Sequence, residues 1–278
     1  MTTAEFSAFI FLSSLAAGLL GSLTGLGGGV VIVPVLTLLF HVDIRYAIGA
    51  SLVSVIATSS GAAAAYVREG YSNVRIGMFL EIATTLGAVL GAYLTALVPT
   101  TAIGFIFGLV LLYSAFASAR KKHAHAGTAE TNRLAERLRL RGSFPVDGGK
   151  EDYVAQRVPA GFGLMFSAGT LSGLLGIGSG AVKVLAMDQA MGLPFKVSTT
   201  TSNFMIGVTA AASAGIYLSR GYIAPELAMP VMLGVLAGSL IGAKILVHAR
   251  VKTLRLVFAL VILALGVEMI VNSIAGRL

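Results

Sequence analysis

Gly21-Ser22-Leu23-Thr24-Gly25-Leu26-Gly27-Gly28-Gly29 and Ser172-Gly173-Leu174-Leu175-Gly176-Ile177-Gly178-Ser179-Gly180 are the two stretches on which the fold turns. Each interrupts an apolar run too long for one straight membrane crossing: Phe6 to Phe40, about 35 residues, and Ala160 to Met191, about 32. A membrane helix needs about 20 apolar residues. Glycine frees the backbone to leave the helix and to approach a ligand closely. Each run therefore reads as a broken helix, or as two short helices joined at the cluster.

The two clusters stand in one register. A shift of 151 residues aligns the halves of the chain without a gap. Gly25, Gly27 and Gly29 fall on Gly176, Gly178 and Gly180; Ser51 falls on Ser202; Tyr66, Gly70 and Tyr71 fall on Tyr217, Gly221 and Tyr222; Gly87 and Gly91 fall on Gly238 and Gly242. Apolar composition alone would not align three alternating glycines, a Gly-Tyr and a Gly-x-x-x-Gly. The reading is an internal repeat. Further apolar segments follow each cluster: Ala47 to Val67, Ile76 to Val98 and Ile103 to Ala119, then Val197 to Leu218, Leu227 to Val247 and Leu254 to Ile274.

Composition fixes the solvent. Of 278 residues, 56% are hydrophobic and only 12% charged, about half the usual charged share of a soluble domain. Such a chain cannot cover itself with a water-facing surface, which excludes a soluble enzyme, a disordered protein and an ordinary nucleic-acid binder. The net charge of +8 is concentrated: Ala119 to Val158 holds nine Lys/Arg and five Asp/Glu. That is the pattern of a cytoplasmic loop rather than of a nucleic-acid surface. The expected organisation is a first transmembrane repeat at 1–118, a basic cytoplasmic loop at 119–158 and a second repeat at 159–278. The apolar start, Met1 to Leu20, has no Lys or Arg before it and reads as a membrane segment that stays. Within the loop, Thr131 to Arg141 reads as a solvated stretch or a short amphipathic helix.

Topology follows from the positive residues. If each broken segment crosses once, the repeats are parallel, and the Arg250, Lys252 and Arg255 cluster falls outside. If each broken segment crosses twice or forms a helical hairpin, the repeats are inverted. Arg68, Arg75, Lys196 and the Arg250 cluster then share the inside with the loop, and the uncharged turn at Pro99 lies outside. The positive-inside rule favours the inverted arrangement. The fold class expected is an all-α integral membrane protein of 8–10 passes, with each glycine-broken segment followed by three transmembrane helices. Inverted repeats with broken helices are the build of many secondary transporters.

A helix that restarts after a break presents free N–H groups and a positive dipole end, which suits an anion. Gly25, Gly27, Gly28 and Gly29, with Gly176, Gly178, Ser179 and Gly180, are candidates for such a site; close helix packing through small residues is the other reading. Lys183 lies in an apolar run where its repeat partner is Ile32. A buried ammonium needs a ligand or a partner, such as Asp188. Thr200, Ser202 and Asn203, with Ser51 in the first repeat, offer hydroxyls and an amide to an oxyanion, or to helix caps and helix–helix bonds. Glu81, Asp188 and Glu268 are the acids nearest the apolar segments; Glu81 and Asp188 are candidates for proton coupling. With no Cys, and with His41, His123, His125 and His248 in or near loops without ligand spacing, no metal site is expected. No cofactor is expected either.

Gly18 to Gly29 followed by Pro34, together with Gly173 to Gly180, resembles the sulfite exporter TauE/SafE family. The resemblance covers nearly the whole chain, including its length, paired clusters, repeat and charged middle loop. It implies export of sulfite or a small organosulfur anion such as a sulfonate. Ser179 departs from the all-glycine pattern and Leu185 replaces the proline equivalent to Pro34, so the two clusters are unequal. The function expected is a secondary transporter of a small anion, one repeat moving against the other in a bacterial or archaeal inner membrane. An anion channel and an intramembrane enzyme built on Ser179 are the alternatives. The partners are the anion and the lipid bilayer, not nucleic acid; a homo-oligomer is left open.

Overall fold

A computed structural model describes residues 3–24, 28–68, 72–119, 133–146, 149–246 and 251–277. The first half runs α1 (Thr3–Thr24), α2 (Gly29–Pro34), a π-helical turn Val35–Leu39, α3 (Ile44–Arg68), α4 (Val74–Leu94) and α5 (Thr100–Ala119). Next come α6 (Arg133–Arg137), β1 (Arg141–Val146) and β2 (Gly149–Val154). The second half runs α7 (Val158–Leu175), α8 (Gly180–Leu185), a π turn Ala186–Ala190, α9 (Phe195–Ser219), α10 (Pro225–Leu246) and α11 (Val251–Ile274).

The 151-residue shift relates elements as well as letters. It carries α2, its π turn and α3 onto α8, its π turn and α9, first and last residues included, and the starts of α4 and α5 onto those of α10 and α11. The turn after each π segment repeats too. Val42 N–H donates to Leu36 O at 3.1 Å, and Leu193 N–H to Met187 O at 3.0 Å. The left-handed residue of that turn is His41 in one half and Gly192 in the other. The π turn forms after Leu185 just as after Pro34, so the proline is not its cause.

Packing is paired in the same way. Helix α1 lies along α10, and its counterpart α7 along α4; α3 packs on α10 and α9 on α4; α3 meets α9, and α5 meets α11. The α1–α10 and α4–α7 pairs approach through glycine. A Cβ at Gly169 or Gly173 would run into the backbone of Thr84 or Ala88, and one at Gly18 or Gly238 into that of Val235 or Leu15. Small residues allowing backbones to touch are what helices in lipid use for contact.

The outer surface is apolar. Met78, Ile82, Leu86 and Leu90 form an exposed stripe at helical spacing on α4, as do Leu260, Leu263, Val267 and Val271 on α11. Such stripes suit hydrocarbon rather than water. Among the described residues, three helical segments, Val74–Leu94, Val158–Leu175 and Pro225–Gly242, are long and apolar enough to cross a membrane, and five further helical stretches are apolar but shorter. The molecule is a mostly helical membrane protein.

Each broken segment doubles back. Gln156 N–H, ahead of α7, donates to Met191 O, just after the second π turn, at 2.8 Å. In the first half the rings of Phe6 and Phe40 meet edge to face at 5.8 Å. The two ends of each broken segment thus lie side by side.

The middle segment differs from expectation. Where a solvated stretch or a short amphipathic helix was expected there is one short helix, α6, and beyond it an antiparallel hairpin that was not expected, with Phe144 opposite Glu151 and Gly142 opposite Tyr153. Two strands alone are marginal in water. This pair is anchored by Asn73, whose Nδ2 donates to the Tyr153 hydroxyl at 2.9 Å and whose Oδ1 caps α4 by accepting from Ile76 N–H at 3.0 Å. Ala135, Leu140, Ala155 and Val158 are buried with Ile76, Leu80, Met165 and Met191 in a small core beneath it.

Candidate functional site

Helix α7 ends at Gly176, left-handed at φ 66°, and α8 begins at Gly180. Gly178, at φ 69°, would also drive a Cβ into Ile206, so both the backbone and the space require glycine there. Ser179 is left-handed too, at φ 46°, and is the departure that the sequence singled out. It is 3% exposed, and its hydroxyl has no hydrogen-bond partner among the described residues. Its first-repeat counterpart, Gly28, takes a helical conformation at φ −66°.

The register-matched serines both serve the breaks. Ser51 Oγ donates to Gly176 O at 2.8 Å, tying α3 to the second-half break, and Ser202 Oγ donates to Gly180 O at 3.3 Å. Gly29 packs against Ser51 and Gly176. Val55 and its counterpart Ile206 close the space beside Gly178. These contacts account for much of the glycine pattern by packing.

Beside this break lies a buried polar chain. Lys183, one turn into α8, is 0% exposed, and its Nζ donates to Thr209 Oγ1 on α9 at 2.6 Å. Thr209 Oγ1 reaches Glu81 Oε1 on α4 at 2.6 Å, and Thr85 Oγ1 donates to the same oxygen at 3.2 Å. Glu81 is 5% exposed, and its Oε2 has no partner among the described residues. An ammonium and a carboxylate from different halves of the chain thus share one hydroxyl. Buried charges persist in a low dielectric only when paired in this way. The acid that Lys183 reaches through Thr209 is Glu81, whereas the sequence offers Asp188.

The other candidates scatter. Gly25 and Gly27 lie outside the described residues. Gly28 is buried against Val235. Thr200 turns its hydroxyl back to Lys196 O on its own helix, and Asn203 is half-buried on α9. Asp188 sits half-buried in the π turn, and Glu268 is exposed on α11. Thr209 was not singled out from the sequence. Its register partner is Thr58, so a hydroxyl at one position in both repeats was the signal available. Among the described residues no cluster of His, Asp and Glu is arranged to hold a metal ion.

At the opposite end from the β-hairpin, Arg45 donates to Thr95 O and Val98 O, both at 3.3 Å, and Arg220 donates to Ala92 O at 2.9 Å. Arg220 meets a last-turn carbonyl of α4 and Arg45 the carbonyls just beyond its end, where the helix dipole favours positive charge. Tyr217 Oη meets Thr95 Oγ1 at 2.8 Å and donates to Gly173 O at 3.0 Å.

Residues 10–269 match the model of the sulfite exporter TauE/SafE family. The chain is 30% identical over 273 residues to the probable membrane transporter protein YunE of Bacillus subtilis, covering 94% of this chain and 96% of that one. It is 27% identical to the probable membrane transporter protein YdhB of the same organism, over 84% of this chain and 88% of that one. A probable membrane transporter protein of Methanocaldococcus jannaschii is 24% identical over 91% of each. No solved structure matches the chain significantly. The chain therefore belongs to the sulfite exporter TauE/SafE family and is a membrane transporter, not an enzyme.

Proposed function

We propose that this protein is a secondary transporter that exports a small anion, sulfite or an organosulfonate, by alternating access about its broken helices. The observation that carries the anion reading is Lys183, a fully buried ammonium one turn from a helix break. Sulfite and sulfonate are compact oxyanions, and one ammonium with nearby hydroxyls and backbone N–H groups can replace their water shell. The site we assign comprises Lys183, the break at Gly176, Gly178, Ser179 and Gly180, and Ser51 and Ser202. The unpartnered Ser179 hydroxyl is a donor still free to serve a ligand.

The repeats at 1–118 and 159–278 are read as inverted. A hairpin that returns to its own side leaves three crossings in each half, an odd number, so the second half starts from the opposite face. The basic segment 119–158 then lies on the cytoplasmic side of the inner membrane, with Arg75 and Lys196 at the same end and the turn at Pro99 at the other. The test is efflux of sulfite, and in parallel of a short sulfonate, from proteoliposomes. Saturable efflux that Lys183→Ala abolishes is expected. Efflux indifferent to that substitution removes Lys183 from the site, and failure of folded protein to move either anion overturns the substrate assignment.

A further inference from the structure

We propose, resting on that reading, that Glu81 is the resident occupant of the anion site: its carboxylate holds the Lys183–Thr209 pair when substrate is absent, the anion displaces it, and Glu81 then takes up one proton, so that one proton travels with each anion. Three features of the polar chain carry this. The first is charge. Lys183 and Glu81 together are neutral, and an entering monovalent anion would leave one uncompensated negative charge in a buried, low-dielectric site. Such a charge is costly enough that a titratable group neutralises instead. The second is the orphan oxygen. Glu81 Oε2 is buried and has no partner among the described residues, so a proton can be added there without breaking any bond among them.

The third is the hydroxyl between them. Thr209 Oγ1 has one proton to give and two acceptors within reach: Glu81 Oε1 at 2.6 Å and Met205 O of its own helix at 2.9 Å. It accepts from Lys183 in either case. The hydroxyl can therefore release the carboxylate, donating instead to the anion or falling back on Met205. The balance closes: carboxylate plus a proton from water on the loading side gives the neutral acid, and the proton leaves on the other side when the anion does.

Among the described residues of the elements packed against it, no other ionisable group stands in for Glu81. Of the elements packed against α4, α7 carries no ionisable side chain. On α9 the groups are Lys196, exposed at its start, and Tyr217, bonded to Thr95 and Gly173 near its end. Arg75 is exposed in the first turn of α4, and Asp188 lies in the π turn beyond Lys183. The stoichiometry of one follows from the repeat. Under the 151-residue shift, Lys183, Thr209 and Glu81 correspond to Ile32, Thr58 and Met232, so the place related by the repeat keeps the hydroxyl and lacks both charges.

The experiment is calorimetry of methanesulfonate and sulfite binding to the purified full-length protein, in buffers of different ionisation enthalpy. Methanesulfonate stays ionised near neutral pH, so any proton taken up belongs to the protein. Uptake of one proton per methanesulfonate is expected, with binding retained and uptake abolished in Glu81→Gln. Glu81→Asp, which keeps the carboxylate but shortens its reach, should still take up one proton while binding the anion several-fold more tightly. Binding without proton uptake, uptake unchanged in Glu81→Gln, or an unaltered affinity in Glu81→Asp overturns the inference and leaves the anion reading standing. Absence of binding by either anion overturns both.

Discussion

Replacing Lys183 by Met tests the polar chain without any assumption about transport. The two 2.6 Å bonds through Thr209 place the ammonium nitrogen and the Glu81 oxygen no more than about 5 Å apart. At an effective dielectric constant of ~20, opposite unit charges at ~5 Å attract by about 3 kcal/mol. Methionine keeps most of the apolar stem, so the loss is the charge and not the packing. The stranded carboxylate makes the single variant less stable by about 3 to 5 kcal/mol, the usual cost of breaking a buried pair. Glu81→Met strands the ammonium and costs a similar amount. The double variant, Lys183→Met with Glu81→Met, makes both positions apolar, as they are at the place related by the repeat, where Ile32 is fully buried and Met232 half-buried. It should recover most of the loss, because replacing a buried pair by apolar residues is often neutral or stabilising. The assay is thermal unfolding of the three variants and the parent in one detergent at one pH, read as a double-mutant cycle. Additive losses, with the double variant worse than either single, would refute the argument that the two charges hold each other in place.

Two further outcomes follow from bonds elsewhere. Ser51→Ala leaves Gly176 O buried without its donor and should cost about 1 to 3 kcal/mol, seen as a lower unfolding temperature, whereas Ser167→Ala, at an exposed hydroxyl, should change little. Tyr153 in the β-hairpin has its phenol pushed above the ordinary value of 10.0, chiefly by burial, against the lowering effect of the Asn73 bond. Its neutral form is thus favoured by folding. The hairpin's attachment should be intact below pH ~10 and weaken as pH rises above it, measured as alkaline protease cleavage near 141–154 that Tyr153→Phe removes.

What could be read in advance was whatever has a period or a composition. The repeat is carried by glycines at positions where backbones touch, and it located the breaks. Lys183 stood out because an ammonium in an apolar run has few explanations. Its partner did not, because Glu81 is 102 residues away in the sequence and on α4 of the other half, and nothing local joins them. Thr209 looked like one more helical hydroxyl. The π turns have no compositional mark, as Leu185 in place of Pro34 demonstrates. The β-hairpin was hidden by its setting: Phe144, Tyr153 and Val154 are ordinary strand formers, but charge dominated the reading of that segment.

The packing also bears on what moves. If the protein alternates between two openings, the sequence repeats are poor candidates for the moving bodies, because α4 of the first lies glycine-tight against α7 of the second, and α10 against α1. Taken by its glycine-tight backbone contacts, the structure instead joins α4 to α7, with α8 and α9 following α7, and α10 to α1, with α2 and α3 following α1; α3 and α9 are the helices that meet across these two groups. The whole chain from Lys183 through Thr209 to Glu81 falls inside the first group and would travel intact. The bonds left to break are those between groups: Ser51 to Gly176 O, and Arg45 to the carbonyls of Thr95 and Val98. The chain has no cysteine, so disulfides can be added against a clean background. A disulfide joining α4 to α7 should leave anion flux near that of the parent, and one joining α3 to α9 should stop it until reduced. Flux blocked by the α4–α7 link and spared by the α3–α9 link would show that the sequence halves are the moving units after all. Glu81 and Lys183 would then part in every cycle, and the resident-carboxylate account would need a different partner for each charge.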